Sequence, residues 1–314
     1  MKRVALITVC AALCGCSAVA NYPIIATVPK AAASPMVTAC PAMPQNTSRV
    51  GFGASGIQAI TAVEQLTGVR AAWALEYPQF GDPFDAATAC QYSEIGATPI
   101  IQIDPYHTSL ASIADGSQDA YLRSYAEAVR AFRAPVILSL GHEMNGNWYP
   151  WGWTHARPAM FVAAWRRMVT IFRQQGATNV TWMWTVSLDR PGSTVAVSPA
   201  AWWPGAQYVQ MVGIDAYFRY SADTWDAVFG TILAQVRALT SDQVLASETG
   251  VEQDVNSYSQ TMQLFQGVEQ NHLAGLVWFN EKASRDWQLQ DDPAALAAFK
   301  QDAPAYEHAT GGSP

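Results

Sequence analysis

Eight short apolar runs alternate with longer helical patterns over about 250 residues, the length of an α/β fold closed as a single (β/α)8 TIM barrel. Two further observations support that class. Carboxylates and aromatic side chains recur just after nearly every run, where such a barrel gathers its active-site loops. The rival, a doubly wound open sheet, would need a phosphate or nucleotide motif at its switch point, and no Walker pattern occurs.

The runs lie at 50–54, 72–75, 99–103, 136–140, 180–185, 209–216, 244–246 and 275–279, each short and rich in β-branched or apolar residues. Between several of them the helical period is legible. Leu122, Tyr125, Val129 and Phe132 share one face, and Phe161, Trp165, Met168 and Phe172 share another. Pro158 suits the first position of the latter helix and Gly176 its stop. The barrel is expected over 49–300, followed by a tail at 301–314.

Residues 1–20 read as an export signal. Lys2 and Arg3 precede an apolar segment from Val4 to Leu13, shorter than the roughly twenty residues that span a bilayer. Two cleavage readings stay open. Leu13-Cys14-Gly15-Cys16 resembles a lipobox, which would leave a lipidated Cys16 as a membrane attachment, and Ala18-Val19-Ala20 is an ordinary A-x-A site. The expected location is periplasmic, cell-surface or secreted. Residues 21–48, rich in Ala, Pro, Ser and Thr, read as a tether or loosely docked arm. Cys40 and Cys90 are the two cysteines left beyond the signal, and an oxidising compartment predicts a disulfide between them.

A net charge of −7 argues against nucleic acid or an anionic membrane surface as a partner, and a monomer is expected. Twelve tryptophans and twelve tyrosines exceed what core packing asks for, so some should line a groove.

The strand ends carry the chemistry. After the second run come Glu76, Tyr77 and Phe80, and after the third Asp104, Tyr106 and His107. The fourth delivers His142, Glu143 and Asn145, followed by Trp148, Trp151 and Trp153. The fifth ends near Trp182, Trp184 and Asp189, and the sixth gives Asp215, Tyr217 and Phe218. Ser247, Glu248 and Thr249 close the seventh, and Trp278, Asn280 and Glu281 the eighth. A carboxyl beside flat aromatic faces suits sugar rings, which stack through C–H groups while their hydroxyls take hydrogen bonds. Retaining cleavage of a glycosidic bond uses two carboxyls about 5–5.5 Å apart, one as nucleophile and one as acid then base. Strands four and seven face each other across the mouth, which makes Glu143 and Glu248 the expected pair, with Asp215 and Glu281 as competitors.

No cofactor or metal is called for. His142-Glu143 lacks the second histidine of H-E-x-x-H, and no G-x-S-x-G elbow occurs. The rival from another class is a non-catalytic carbohydrate-binding barrel, whose mark would be a missing carboxylate. A structural envelope lipoprotein with an incidental groove is a third reading.

Gly141-His142-Glu143-Met144-Asn145-Gly146-Asn147-Trp148-Tyr149-Pro150-Trp151-Gly152 and Ser247-Glu248-Thr249-Gly250 resemble the two active-site segments of glycoside hydrolase family 26. That family comprises β-mannanases with some mixed-linkage β-glucanases and β-1,3-xylanases. The resemblance covers roughly residues 49–300. It implies Glu143 as acid/base, Glu248 as nucleophile, Tyr217 as the nucleophile's hydrogen-bond partner and Trp278 as the floor for the sugar at the cleavage point. His142, Asn145, Trp148, Trp151, His107 and Asp104 are the further expected substrate contacts. The family's mannanases carry an arginine shortly before the His-Glu pair, where this chain has Leu138-Ser139-Leu140-Gly141. The expected substrate is therefore either β-1,4-mannan or mixed-linkage β-1,3-1,4-glucan, cut internally, with β-1,3-xylan or trimming of an exopolysaccharide as alternatives.

Overall fold

The computed structural model describes residue 40 and residues 44–188 and 194–306. The export signal, Cys16, most of the expected arm and Asp189 lie outside the described residues. Among those described, eight parallel strands close into a barrel in chain order: β1 (Val50–Gly53), β2 (Trp73–Glu76), β3 (Thr98–Ile103), β4 (Val136–Leu140), β5 (Val180–Ser187), β6 (Met211–Asp215), β7 (Gln243–Thr249) and β8 (Leu276–Phe279). β8 returns to β1 with Val50 opposite Leu276, so no sheet edge is left open. The helices are α1 (Ile57–Thr67), α2 (Ala86–Glu94), α3 (Leu110–Ala114), α4 (Asp119–Phe132), α5 (Pro158–Gln174), α6 (Thr231–Arg237), α7 (Ser257–Gln270) and α8 (Pro293–Asp302). The fold is the TIM barrel that the alternating runs predict.

Local chemistry sets the helix limits. Asp85 starts α2 by accepting from the N–H groups of Ala87 and Thr88, and Asp292 starts α8 in the same way on Ala294 and Ala295. α5 begins on Pro158 and its chain turns at Gly176, where φ is 71°. The apolar faces expected for α4 and α5 are the buried ones, and they cover the outward side chains of the strands.

The inward side chains change character along the barrel. Leu75, Ile100, Ile137, Met183, Met211, Leu245 and Val277 form a closed apolar plug. Two residues further on, the strands offer Gln102, Ser139, Thr185, Gly213 and Ser247 instead. Ser139 donates to Thr185 at 3.4 Å, and a Cβ on Gly213 would meet Ser247 Oγ at 2.4 Å, so glycine is what lets this polar layer close. Tyr77 and Phe279, also two residues beyond the plug, and Asp104, Ser187 and Asp215, four beyond it, reach the mouth.

β7 breaks the period of two. Gly213 pairs with Leu245, but Asp215 pairs with Glu248, so β7 spends three residues where β6 spends two. This bulge puts the Glu248 carboxylate into the mouth, where strict alternation would have turned it towards the helices.

At the opposite end the chain is pinned earlier than expected. Asn46 Nδ2 donates to the carbonyls of Ala71 and Ile95, and Gln45 Nε2 donates to Thr98 Oγ1 at 2.7 Å. Residues 44–48 of the expected arm are thus part of the barrel unit. The unit also runs past residue 300, because α8 continues to Asp302 and a 3-10 turn (Ala303–Tyr306) follows. The carbonyl of Tyr306 accepts from Arg49 N–H, tying that turn to the entry of β1. Cys40 and Cys90 are joined by a disulfide with Cα atoms 5.5 Å apart, which fastens the arm to α2.

The bridge joins residues 50 apart in sequence. Replacing both cysteines by serine should lower the unfolding free energy by about 4 kcal/mol on the chain-entropy account, as read by urea titration. A loss below about 1 kcal/mol would show that the bridge does little for the barrel.

Candidate active site

Glu143 reaches the mouth through an unusual turn. β4 ends at Leu140, Gly141 adopts φ 56° and Glu143 itself φ 53°. The left-handed region costs a non-glycine residue on the order of 1 kcal/mol and persists only where surroundings impose it. Here Glu143 N–H donates to the Thr185 carbonyl at 3.0 Å, and the Glu143 carbonyl accepts from Gly146 N–H at 2.8 Å. The residue is 9% exposed, and its Oε2 accepts from the Trp148 indole N–H at 2.7 Å. Burial, and then the charge of Glu248, push its pKa up to about 7, against the opposing pull of His142, Trp148 and Ser187.

Glu248 faces it from the β7 bulge. Its Oε1 accepts from Gln102 Nε2 at 3.2 Å and its Oε2 from the Tyr217 hydroxyl at 2.8 Å. Each carboxylate oxygen therefore has a donor, which is what a desolvated anion requires. Beneath it Asp215 is wholly buried, with Oδ1 accepting from Ser247 Oγ at 2.6 Å and Oδ2 without a partner. Burial, then the charges of Glu248 and Glu143, raise the Asp215 pKa well above the usual carboxyl range. Burial and the two neighbouring charges thus favour the protonated form of Asp215 beside Glu248.

His142 supplies the cation. Burial alone would lower its pKa, but the charge and hydrogen bond of Asp104 outweigh that and bring it to about 9. At neutral pH the imidazolium donates through Nδ1 to Asp104 Oδ1 at 2.8 Å and through Nε2 to the Tyr149 hydroxyl at 3.1 Å. His142, Asp215 and Glu248 bring potential ligand atoms within 4.8 Å of one another, the residue types of a metal site. An imidazolium with both nitrogens protonated has no lone pair to give an ion.

The other expected contacts divide. Trp148 is 43% exposed and lies beside Glu143. Asp104 and Tyr217 act through His142 and Glu248. His107 stands apart, on a side cavity between the loops after β3 and β4. Asn145 is fully buried and clasps the end of β5, accepting from Ser187 N–H and donating to the carbonyls of Ser187 and Val197. Trp151, 1% exposed, is loop packing: it stacks on Tyr149 at 4.5 Å and donates to the His142 carbonyl. Trp278 corrects an expectation. It points out of the barrel beside its register partner Phe52, and both rings pack on Phe299 of α8 at 5.6 and 6.0 Å. On that side Tyr217 instead meets Trp287 at 4.5 Å and Phe279 at 6.2 Å. Glu281 is engaged elsewhere, accepting from Ser55 N–H. Gln102, Tyr149, Phe279 and Trp287 were not among the expected residues. The period of two from Ile100 to Asp104 and from Val277 to Phe279 could have found Gln102 and Phe279, whereas Trp287 sits in a loop with no periodic signal.

The buried pair of His142 and Asp104 makes stability depend on pH. A histidine whose pKa rises from 6.5 to about 9 on folding contributes stability that is complete below the lower value and lost as pH climbs through the higher. The unfolding free energy should fall by on the order of 3 kcal/mol across that window, and Asp104→Asn should abolish the fall. An unchanged slope in the variant would contradict the pairing.

The sequence profile of glycosyl hydrolase family 26 matches residues 103–271, just over half of the chain. Endoglucanase H of Acetivibrio thermocellus is 28% identical over 219 residues, covering 66% of this chain and 24% of that protein. A mannan endo-1,4-beta-mannosidase of Bacillus subtilis is 27% identical over 145 residues, covering 43% of this chain and 36% of that one. The chain thus spans about a quarter to a third of the length of these relatives. Among solved structures, a modular endo-β-1,4-mannanase from Cellulomonas fimi superposes with TM-score 0.62 at 17% identity, over 84% of this chain and 72% of the other. A Bacillus subtilis mannanase gives 0.61 at 18% identity, over 85% and 89%. These last two likenesses concern the fold. The match to the family profile places this chain in glycosyl hydrolase family 26.

Proposed function

We propose that the chain is a retaining endo-β-glycanase in which Glu143 is the acid/base and Glu248 the nucleophile. One observation carries this reading. A carboxyl brought to about pH 7 by burial and by its neighbour's charge faces a second whose two oxygens both receive donors. Glu248 would bond C1 of the sugar while Glu143 passes its proton to the departing oxygen. Esterification removes the Glu248 charge, so the pKa of Glu143 falls and it can take a proton from the water that attacks C1. That water restores the free Glu248 carboxylate and the protonated Glu143, and configuration at C1 is kept. The exposed face of Trp148, tethered to Glu143 through its N–H, suits a sugar on the leaving-group side.

Room for further sugar units supports internal cleavage. The cavity of about 490 Å³ beside the mouth is lined by Tyr106, His107, Trp151 and Arg157 among others, which makes His107 a contact for a more distant unit. The names of the relatives support a β-linked glucan or mannan. The disulfide supports an oxidising compartment, in keeping with export of the chain with or without a lipid on Cys16.

A panel of mannan, mixed-linkage glucan and β-1,3-xylan should yield short oligosaccharides from at least one. On that substrate Glu143→Ala should lower kcat/KM by about 10²–10⁴ and least for good leaving groups, with azide restoring turnover as a β-glycosyl azide. Glu248→Ala should abolish turnover on every substrate. Equal residual activity in both variants, or release of monosaccharide alone, would overturn the proposal.

A further inference from the structure

Tyr77 follows β2 at the mouth and faces inward with Leu75, two residues before it. Its ring packs against the His142 imidazole at 5.4 Å and Phe279 at 6.3 Å. The hydroxyl oxygen is enclosed and makes no hydrogen bond of ordinary geometry, its one polar approach being to the Glu248 carboxylate, whose two oxygens already receive Tyr217 and Gln102. Glu248, Tyr217 and Asp215 lie close enough to act on its charge, with Glu248 foremost among them. The neighbouring groups are engaged: Tyr217 and Gln102 on Glu248, His142 on Asp104 and Tyr149. A buried hydroxyl without such a bond is uncommon in a folded protein and calls for a reason. Burial, and then Glu248, raise its pKa well above the ordinary phenol value, so the group is a neutral O–H donor.

We infer that Tyr77 is a specificity-determining residue whose hydroxyl bonds the C2 hydroxyl of the sugar at the cleavage point. This rests on the reading of Glu248 as the carboxylate that bonds C1. A sugar whose C1 sits on that carboxylate places two polar atoms next to it, the ring oxygen and the C2 hydroxyl. In an oxocarbenium-like transition state the ring oxygen shares the positive charge, so an O–H donor pointed there would oppose the reaction. The C2 hydroxyl carries no such charge, and hydrogen bonds to it strengthen as the transition state forms. C2 is also the carbon at which mannose and glucose differ. A wall group that meets its hydroxyl in one orientation is left unpaired by the other, which is how a hydrogen-bonding site discriminates.

Tyr77→Phe removes only the hydroxyl, and because that group makes no hydrogen bond of ordinary geometry in the free protein the thermal midpoint should not fall. The test uses dinitrophenyl β-glycosides of the disaccharide released from the preferred polysaccharide, with and without the C2 hydroxyl on the unit bearing the aryl group. The variant should lose about tenfold or more in kcat/KM on the parent compound and less than about twofold on the 2-deoxy compound. Equal losses on both, or no loss on the parent, would overturn the inference. Glu248→Ala on the same substrates separates the two readings. An active Glu248→Ala enzyme would sink the nucleophile assignment, whereas an inactive one with equal Tyr77→Phe losses sinks the Tyr77 inference alone.

Discussion

Four carboxyl groups, those of Asp104, Glu143, Asp215 and Glu248, are buried in one barrel mouth, and they cannot all be charged. The rest of the site answers that constraint. His142 balances Asp104, Asp215 is pushed towards its neutral form, Glu248 is met by donors on both oxygens, and Glu143 is left poised near neutrality. On the proposed reading, environment alone gives two chemically identical side chains different roles. It also ties Glu143 to its neighbour, since neutralising Glu248 removes a charge that holds the Glu143 pKa up.

The scaffold makes the burial possible by grading the barrel interior. An apolar plug excludes water from below, and a polar layer above it gives the buried carboxyls hydroxyl and amide donors. Regular strands alone would not have delivered the pair. Glu248 depends on an extra residue in β7 and Glu143 on a left-handed turn after β4, both of them local departures held by the regular structure around them. Such departures concentrate where a side chain must be aimed, so their coincidence with the two facing glutamates is physically coherent.

The same contrast explains what could be read from sequence. Eight runs, the helical faces of α4 and α5, and the two glutamates at strand ends are legible because burial imposes a period that residue types obey. Trp278 shows where that reading slipped. Val277 fills the plug and Phe279 reaches the mouth, so Trp278 between them had to face the helices, yet the resemblance of its surroundings to a known motif pointed inward. Asn145 and Trp151 lie within the His-Glu segment but serve the loop, and no spacing rule tells a tryptophan that stacks on a sugar from one that stacks on Tyr149. The β7 bulge was equally hidden, because a one-residue insertion in a strand leaves no mark in composition. The ends of the barrel unit were blurred by composition as well: an Ala- and Pro-rich arm does not disclose that Asn46 and Gln45 satisfy backbone and side-chain groups beneath β2 and β3.

The coupling between the two facing glutamates is the centre of this account. Carbon-13 NMR titration of the labelled Glu143 carboxyl, assigned by its loss in Glu143→Gln, measures it directly. A pKa of about 7 is expected in the wild-type protein, moving down when Glu248→Gln removes the facing charge but staying above the ordinary glutamate value, because burial remains. A Glu143 that titrates at the ordinary value, or one that does not respond to Glu248→Gln, would contradict it.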